Sequence, residues 1–596
     1  MATATASRVK IAGGSFLLGE GNLEDVFTPE DFTDEHRQIA RTTEEFAQQE
    51  IVPNIDKIEH KDYQVTRDLI RKASEIGIAT VDIPEEYGGS DMDKVSSAII
   101  ADYLSKSGSF SVSFGGHAGI GTLPIVYFGN SEQKQKYLPR LATGEWIGAY
   151  ALSESTSGSD ALNTRTRAVL SGDGKHYILN GEKMWITNAA FADLYIVFAK
   201  VNGDQFTAFI VERTFPGLSV GAEEKKLGIR GSSTCPLILN DCQVPAENVL
   251  GDIGKGHIIA FNILNIGRFK LGAGCVGGAR NSLASALGYA KQRKAFGKSI
   301  SEFGLIQEKL ANMAIGVYVG ESLSYRTVGM IDEALREVDK SSPNAPRDIR
   351  KGIEEYAVEC SILKVWGTEM LDSVVDEVVQ IYGGYGFVEE YPAERAYRDS
   401  RVNRIFEGTN EINRMIITGW LMKRAMSGQL ALLPAIKKLM DEVLGGSAAG
   451  PPADGPLAAE RALATAAKKI ALFVAGAASQ KYMMALSDQQ EVMGAIADII
   501  IEAYAIDSVV LRTRKLTASN SESPLPQAMT QVYINCAMER IEASARKVIA
   551  AIAEGDTLRT QLAILKRLSK FQPYNTVALR RQIAARILEA GKYVSA

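Results

Sequence analysis

One carboxylate in this chain has neighbours suited to proton transfer. In the stretch YRDSRVNRIFEGTNEINR, Tyr397 to Arg414, Glu407 follows the apolar pair Ile405 and Phe406 and precedes Gly408 and Thr409. An apolar flank desolvates a carboxylate and raises its pKa toward neutrality, where it works as a base, and a glycine lets a substrate approach the backbone. The same residues also fit a plain helix start: Thr409 as N-cap, a carboxylate favoured by the helix dipole, and Asn410, Glu411 and Asn413 on the surface. The residues alone leave both readings open.

Two other stretches could cradle a large, planar, polar ligand. YALSESTSGSD, Tyr150 to Asp160, interleaves small hydroxyl residues with glycine, and MWITNAA, Met184 to Ala190, ends a β-rich run. Such a loop offers many hydrogen-bonding groups and little bulk. A serine-rich turn and a strand end are the plainer readings.

Three kinds of element must position these groups. From about Thr28 to Gly144 apolar residues recur at helical spacing, as in VTRDLIRKASEIGI, until SFSVSFGGHAGIGTLPIVYFG, which is too rich in glycine for an ordinary helix. That stretch is either a loop or a place where a neighbour comes very close. Between Glu145 and Leu250 the period becomes two, in short β-branched and aromatic runs divided by turn signals such as SGDGK and VNGD. No helix separates successive strands, so an antiparallel domain is expected rather than a parallel Rossmann sheet. The glycines at 383, 384 and 386 follow a helical pattern, so they are no dinucleotide fingerprint. Long helices return from Gly256 to Gly428, and GGSAAGPPADGP reads as a linker before a further helical group. The expected fold is α+β and multidomain: an N-terminal helical domain (1–144), a middle antiparallel β domain (145–255), a four-helix-bundle-like domain (256–428), a linker (429–456) and an additional C-terminal helical bundle (457–596).

Composition narrows the function. The chain has 596 residues, a formal net charge of −5 and only 5 histidines, with 5 scattered cysteines and no CxxC pair. An acidic balance gives no footprint for nucleic acid, and the cysteine and histidine pattern argues against a disulfide scaffold, haem attachment or metal site. No secretory leader is recognisable, and the most membrane-like window, Gly494 to Leu511, carries Asp498, Glu502 and Asp507. A reducing, cytoplasmic location is expected. The stretch GQLALLPAIKKLMDEVL, with Lys437 and Lys438 beside leucines, suits either peripheral membrane contact or packing on the protein, and Pro434 is expected to interrupt its helix.

Taken with RIFEGTNEINR, QRKAFGKSISEFGLIQ and QIYGGYGFVEEYPAERAYRD, in this order around a β domain, the two cradle stretches resemble the acyl-CoA dehydrogenases, over about Thr28 to Arg424. The extra helical region is similar to that of the very-long-chain subgroup. The resemblance implies FAD-dependent α,β-dehydrogenation of a fatty acyl-CoA in β-oxidation, with Glu407 removing the α-proton and electrons passing to an electron-transfer flavoprotein. It assigns Tyr150, Leu152, Ser153, Gly158, Ser159, Trp185, Ile186 and Thr187 to the flavin, together with Gly408 and Thr409. Ser159 also lies near the thioester. It implies that Arg293, Phe296, Gln380, Gly383 and Gly384 hold the FAD adenosine and pyrophosphate across the interface of a homodimer.

One branch of the family carries its base just before the arginine of a segment matching NIGRFKLGAG. Here that position is Gly267, which cannot be a base, and Arg268 follows it, placed either to orient the Glu407 loop or in a surface salt bridge. Where shorter-chain members carry bulky polar residues, this chain has Gly115 and Gly116, so a long acyl chain is expected. A scaffold role in respiratory-complex assembly, an acyl-CoA oxidase and a nucleic-acid-binding relative are the alternatives within the same architecture.

Overall fold

The first helical elements show how the sequence pattern becomes packing. In the computed structural model, which describes residues 11–595 except 341, 343, 445–454 and 520–523, Thr33 caps the helix Asp34–Phe46 and Asp62 caps Tyr63–Glu75. Each cap satisfies an amide that the helix itself leaves unpaired, worth about 1 kcal/mol. Ala40, Thr43 and Phe46 on one helix and Leu69, Ile70 and Ala73 on the other face inward at helical spacing. The glycine-rich stretch is helical too: Gly108–Gly115 runs into a wide turn, Gly116–Gly121. A close neighbour explains the composition, because a Cβ on Gly121 would lie 2.7 Å from the backbone of Gly148.

The middle domain is one eight-stranded sheet. Its strands are β1 (Gly148–Ala151), β2 (Arg167–Leu170), β3 (His176–Thr187), β4 (Leu194–Val201), β5 (Gln205–Glu212), β6 (Leu218–Val220), β7 (Thr234–Pro245) and β8 (Val249–Leu250). The order is β6-β7-β3-β2-β4-β5-β8, with β1 beside β4. Most pairs are antiparallel, as expected, but β4 receives both β1 and β2 in parallel. The period of two has a structural purpose here. Leu194, Ile196 and Phe198 of β4 enter a core shared with the helical bundle, while Tyr195, Val197 and Ala199 enter a second core within the β domain and the N-terminal helices. The central strands are therefore buried on both faces.

Long helices Gly256–Gln292, Gly304–Leu335, Ala357–Tyr382 and Asn410–Met426 form the bundle beside the sheet. The first and third cross at glycines: a Cβ on Gly367 would lie 3.3 Å from Gly272, so the backbones meet with no side chain between them. Beyond it Ala458–Tyr482, Gln490–Ser519, Pro524–Ile552, Gly555–Leu568 and Thr576–Ala590 form the additional bundle. Buried ion pairs join the two. Asp507 accepts from Arg326 and Lys468, and Arg512 bonds both Glu321 and Glu30. Residues 11–31, grouped by sequence with the N-terminal helices, run along these bundles instead: Gly14 donates to Glu359 and Phe16 packs on Tyr504.

Part of the expected linker is ordered. Leu432–Leu444 is a helix with Pro434 in its first turn, where a missing N–H costs nothing, so the proline does not interrupt it. Residues 445–454 lie outside the described residues. Leu432, Leu439 and Val443 are buried, and Ile436 meets Gly476 of the next helix, leaving Lys437 and Lys438 exposed. Among the described residues the helix long and apolar enough to cross a membrane is Ala458–Asp488, mean hydropathy 1.3, rather than Gly494 to Leu511, and 61% of its window is buried within the protein.

Candidate active site

Between the N-terminal helices and the bundle lies a cavity of about 380 Å³, and Glu407 is in its wall. Glu407 occupies the turn between a short helical turn, Arg401–Arg404, and the helix Asn410–Met426. Its backbone is left-handed, φ 58°, as is that of Gly408, φ 81°. A non-glycine residue held there is strained, and the surroundings must enforce it. Asn413 does so from below, donating to the carbonyls of Gly408 (2.8 Å) and Thr409 (3.0 Å). Arg268 donates to the Glu407 carbonyl at 3.2 Å and to Asn265 at 2.8 Å. It is buried, so it orients the turn rather than forming a surface salt bridge.

Among the described residues the carboxylate has no hydrogen-bond partner. Its Oε2 is buried and unbonded, and burial raises the pKa to about 7 against the pull of Arg268 and Lys364. The Glu407 N–H likewise has no acceptor among the described residues. A desolvated base near neutral pKa thus sits beside a free backbone donor, the pair needed to take a proton and polarise a carbonyl. Gly267 faces the carboxylate: a Cβ there would lie 2.6 Å from Oε2. The position therefore has to be bare for Glu407 to occupy the site.

The plain helix-start reading fails at two residues. Thr409 is the N-cap, accepting from Ile412 N, but Asn410 and Asn413 are buried, not on the surface. Asn410 accepts from Lys364, whose ammonium burial has pushed down to about 8. Sequence reasoning missed these supports; the signal was two amides, Asn410 and Asn413, three residues apart on a helix face that also buries Ile417.

Thr187, at the end of β3, lines the same cavity. Just before it the β3–β7 pairing slips between Lys183 and Ile186, and Trp185 takes φ 58° and is 55% exposed. The bulge turns an indole outward that would otherwise be core. Ile186 is buried in the β-domain core, so its side chain cannot line a ligand and only its backbone can. Tyr150 is buried with an unbonded hydroxyl, while Gly158 and Ser159 are exposed on the loop beyond. That loop is tied beneath Trp185. Ser153 accepts from Met184 N at 2.9 Å, and the buried Lys183 donates to Glu154 (2.7 Å), Thr164 (2.9 Å) and the Leu152 carbonyl (3.3 Å). Burial raises the Glu154 pKa, but Lys183 and the threonine hydroxyls outweigh it and bring it to about 2. Glu154 and Lys183 were not singled out by sequence.

Gly115 and Gly116 both line the cavity but differ. A Cβ on Gly115 would meet open space, whereas on Gly116 it would press on Thr187 and Asn188 at 3.1 Å. Gly116 permits close packing and does not add volume; Gly119, also open, does. Ile229 enters the wall with φ 46°, its N–H bonded to Asp399.

A second concavity, about 460 Å³, holds Arg293, Gly383 and Gly384 among Tyr289, Tyr382 and Tyr385. The Gly383 N–H is taken by the end of its helix, so it cannot serve an anion, but Cβ positions on both glycines face open space. Arg293 lies over the Tyr385 ring at 5.5 Å, and Phe296, 95% exposed, and Gln380 lie outside. Within one chain the structure does not bring these residues to Glu407. A cation, bare backbone and aromatic faces suit the phosphate and base of a nucleotide.

All four parts of the chain match one family. Residues 33–145 match the acyl-CoA dehydrogenase N-terminal domain, 149–242 its middle domain, and 254–422 and 466–567 its C-terminal domains. A probable acyl-CoA dehydrogenase of Bacillus subtilis is 50% identical over 98% of both chains. The chain belongs to the acyl-CoA dehydrogenase family. Among other members, the very long-chain specific acyl-CoA dehydrogenase of Rattus norvegicus is 40% identical over 59% of this chain and 53% of its own. A crystal structure of the acyl-CoA dehydrogenase of Bacillus anthracis complexed with FAD superposes with TM-score 0.96 at 50% identity, covering 98% of this chain and 100% of that one.

Proposed function

We propose that this acyl-CoA dehydrogenase uses Glu407 as the base that removes the α-proton of a long-chain fatty acyl-CoA. The enzyme is FAD-dependent and acts on fatty acyl-CoA thioesters. Bound FAD would supply the acceptor for the β-hydrogen, which leaves as hydride. The observation carrying the base assignment is the buried, unbonded Glu407 carboxylate, with a pKa near 7, in the wall of an apolar cavity. Proton transfer neutralises a carboxylate that burial already penalises, so the apolar wall favours the step. The Glu407 N–H supports a role as donor to the thioester oxygen, held in place by Arg268 and Asn413.

The residues that would hold FAD form two groups. Trp185, Thr187, Tyr150 and the loop through Gly158 and Ser159 suit its ring system, and Gly408 and Thr409 beside Glu407 would complete that group. Arg293, Phe296, Gln380, Gly383 and Gly384 suit the adenosine and pyrophosphate of a FAD reaching from a second copy. Exposed Phe296, Leu305 and Phe387 beside that concavity support a homodimer. For the acyl chain, the cavity follows the helix Gly256–Gln292 from Gly267 to Ser282, fifteen residues or about 22 Å of rise. That length, with Gly115 and Gly119 bare, supports a long-chain preference. An electron-transfer flavoprotein is the acceptor in this reading. Five free cysteines support a cytoplasmic, reducing location, and the packing of Leu432–Leu444 on its neighbour limits any membrane contact there to the exposed Lys437 and Lys438 side.

The test is an acyl-CoA length series on the purified yellow protein, with electron-transfer flavoprotein or a dye as acceptor and hydrogen peroxide measured in parallel. Turnover of palmitoyl-CoA well above butyryl-CoA, with little peroxide, is expected. Equal rates on the two would overturn the chain-length assignment, and peroxide matching turnover would identify an oxidase.

A further inference from the structure

The acyl cavity is apolar beside Leu271, Gly274 and Gly278 and becomes polar at the end away from Glu407. Three segments contribute polar side chains to its lining. Asn281 and Ser282 come from the far half of the helix Gly256–Gln292, Arg395 from the start of the helix Pro392–Ser400, and Lys106 from the connection before Gly108–Gly115. Lys106 Nζ donates to Asn281 Oδ1 at 2.7 Å, and Asn281 in turn donates to the Ser105 carbonyl at 2.9 Å, which fixes the ammonium in the wall.

These two cations differ from others near the cavity. Lys270 is matched by Asp82 at 2.7 Å, and Arg398 by Glu394. Among the described residues Lys106 has no carboxylate within ion-pair distance, and Glu44 reaches it only through its field. Arg395 is half-buried, donates no hydrogen bond to any described residue, and acts on Asp399 only at longer range. Lys106 has only the neutral Asn281 as a hydrogen-bond partner, and Arg395 has Asp399 of the same wall only in its field, so a ligand carboxylate reaching either cation would gain a charge-assisted hydrogen bond.

We infer that the far end of the cavity, formed by Lys106, Asn281 and Arg395, binds an anionic ω-terminus, so that long ω-carboxylated acyl-CoA thioesters are substrates. The inference rests on the acyl-CoA reading of the Glu407 end. It carries a length signature. A chain long enough to cover about 22 Å puts its carboxylate between the cations, whereas a short one strands it against apolar wall.

The experiment compares kcat/KM of the holoenzyme for palmitoyl-CoA and hexadecanedioyl-CoA, and for octanoyl-CoA and octanedioyl-CoA. Hexadecanedioyl-CoA is expected to match or exceed palmitoyl-CoA, while octanedioyl-CoA falls at least about tenfold below octanoyl-CoA. Lys106→Met and Arg395→Met are each expected to lower the hexadecanedioyl value about tenfold, the loss of one charge-assisted bond, with palmitoyl turnover within about twofold of wild type. Lys106→Arg keeps the charge and is expected to keep the preference, which separates loss of the subsite from loss of folding. Equal penalties for the ω-carboxylate at both lengths, or variants that lower both long substrates alike, would overturn the subsite. No turnover of palmitoyl-CoA itself would overturn the acyl-CoA reading, and the subsite with it.

Discussion

Replacing Gly267 by alanine introduces one methyl group at the point where the geometry is tightest. The new carbon would lie 2.6 Å from Oε2 of Glu407, and ordinary contact begins at 3.4 Å, so the carboxylate must withdraw by about 0.8 Å, the difference of the two. Misplacing a reacting group by about an ångström costs about a hundredfold in rate, or about 2.7 kcal/mol of barrier. The helix should tolerate alanine, which it prefers to glycine by up to about 1 kcal/mol, so the loss is not one of folding. Anaerobic stopped-flow reduction of the flavin by palmitoyl-CoA reads the step directly. Gly274→Ala is the control, on the same helix and cavity wall, where the nearest atom to a Cβ is at 3.4 Å. Gly267→Ala should reduce its flavin about a hundredfold more slowly, with normal flavin content, and Gly274→Ala within about threefold of wild type. A Gly267→Ala enzyme reduced at the wild-type rate would refute the placement of the carboxylate.

Three further outcomes follow from the same geometry. With a Glu407 pKa of about 7, kcat/KM should rise about tenfold between pH 6 and pH 8 as the ionised fraction goes from about one eleventh to ten elevenths; a flat profile would contradict the assignment. The folded pKa lies above the ordinary 4.5, so the stabilising contribution of this group is complete below pH 4.5 and lost as pH rises through about 7. Urea midpoints should therefore show Glu407→Gln gaining about 3 kcal/mol over wild type at pH 8 but only about 1 kcal/mol at pH 5. Gly115→Gln projects into open cavity, so palmitoyl-CoA turnover should fall at least about tenfold while butyryl-CoA turnover is kept. Lys183→Met leaves Glu154 buried and unpaired, a loss of about 3–5 kcal/mol centred under Trp185, and the purified protein should lose flavin; full flavin content with an unchanged Tm would argue against that role.

Much of this was legible in the sequence, where local rules decide the outcome. Helical spacing in VTRDLIRKASEIGI and the short β-branched and aromatic run LYIVFAKV report burial directly, and each became the expected element. At Glu407 the apolar flank and the glycine left a base and a plain helix start both open, and only the resemblance of the surrounding motifs favoured the base. What the sequence concealed depends on contacts between distant segments. Nothing local shows that Asn413 cages the Glu407 turn, that Lys183 pairs with Glu154, or that Gly116 serves packing while Gly115 and Gly119 open the cavity. That the Ile186 side chain packs into the β-domain core, leaving only its backbone to a ligand, was also hidden, because a motif names residues without saying which face of a strand each occupies, and the bulge at Trp185 decides that. Parallel pairing of β4 with β1 and β2 was equally hidden, since alternation is the same in either direction.

The most direct test of the central claim is anaerobic reduction of bound flavin by palmitoyl-CoA in wild type and Glu407→Gln. Glutamine keeps the shape and removes the base, so flavin should remain bound and its bleaching should slow by at least about a hundredfold. Bleaching of the Glu407→Gln enzyme at the wild-type rate would show that another group takes the proton.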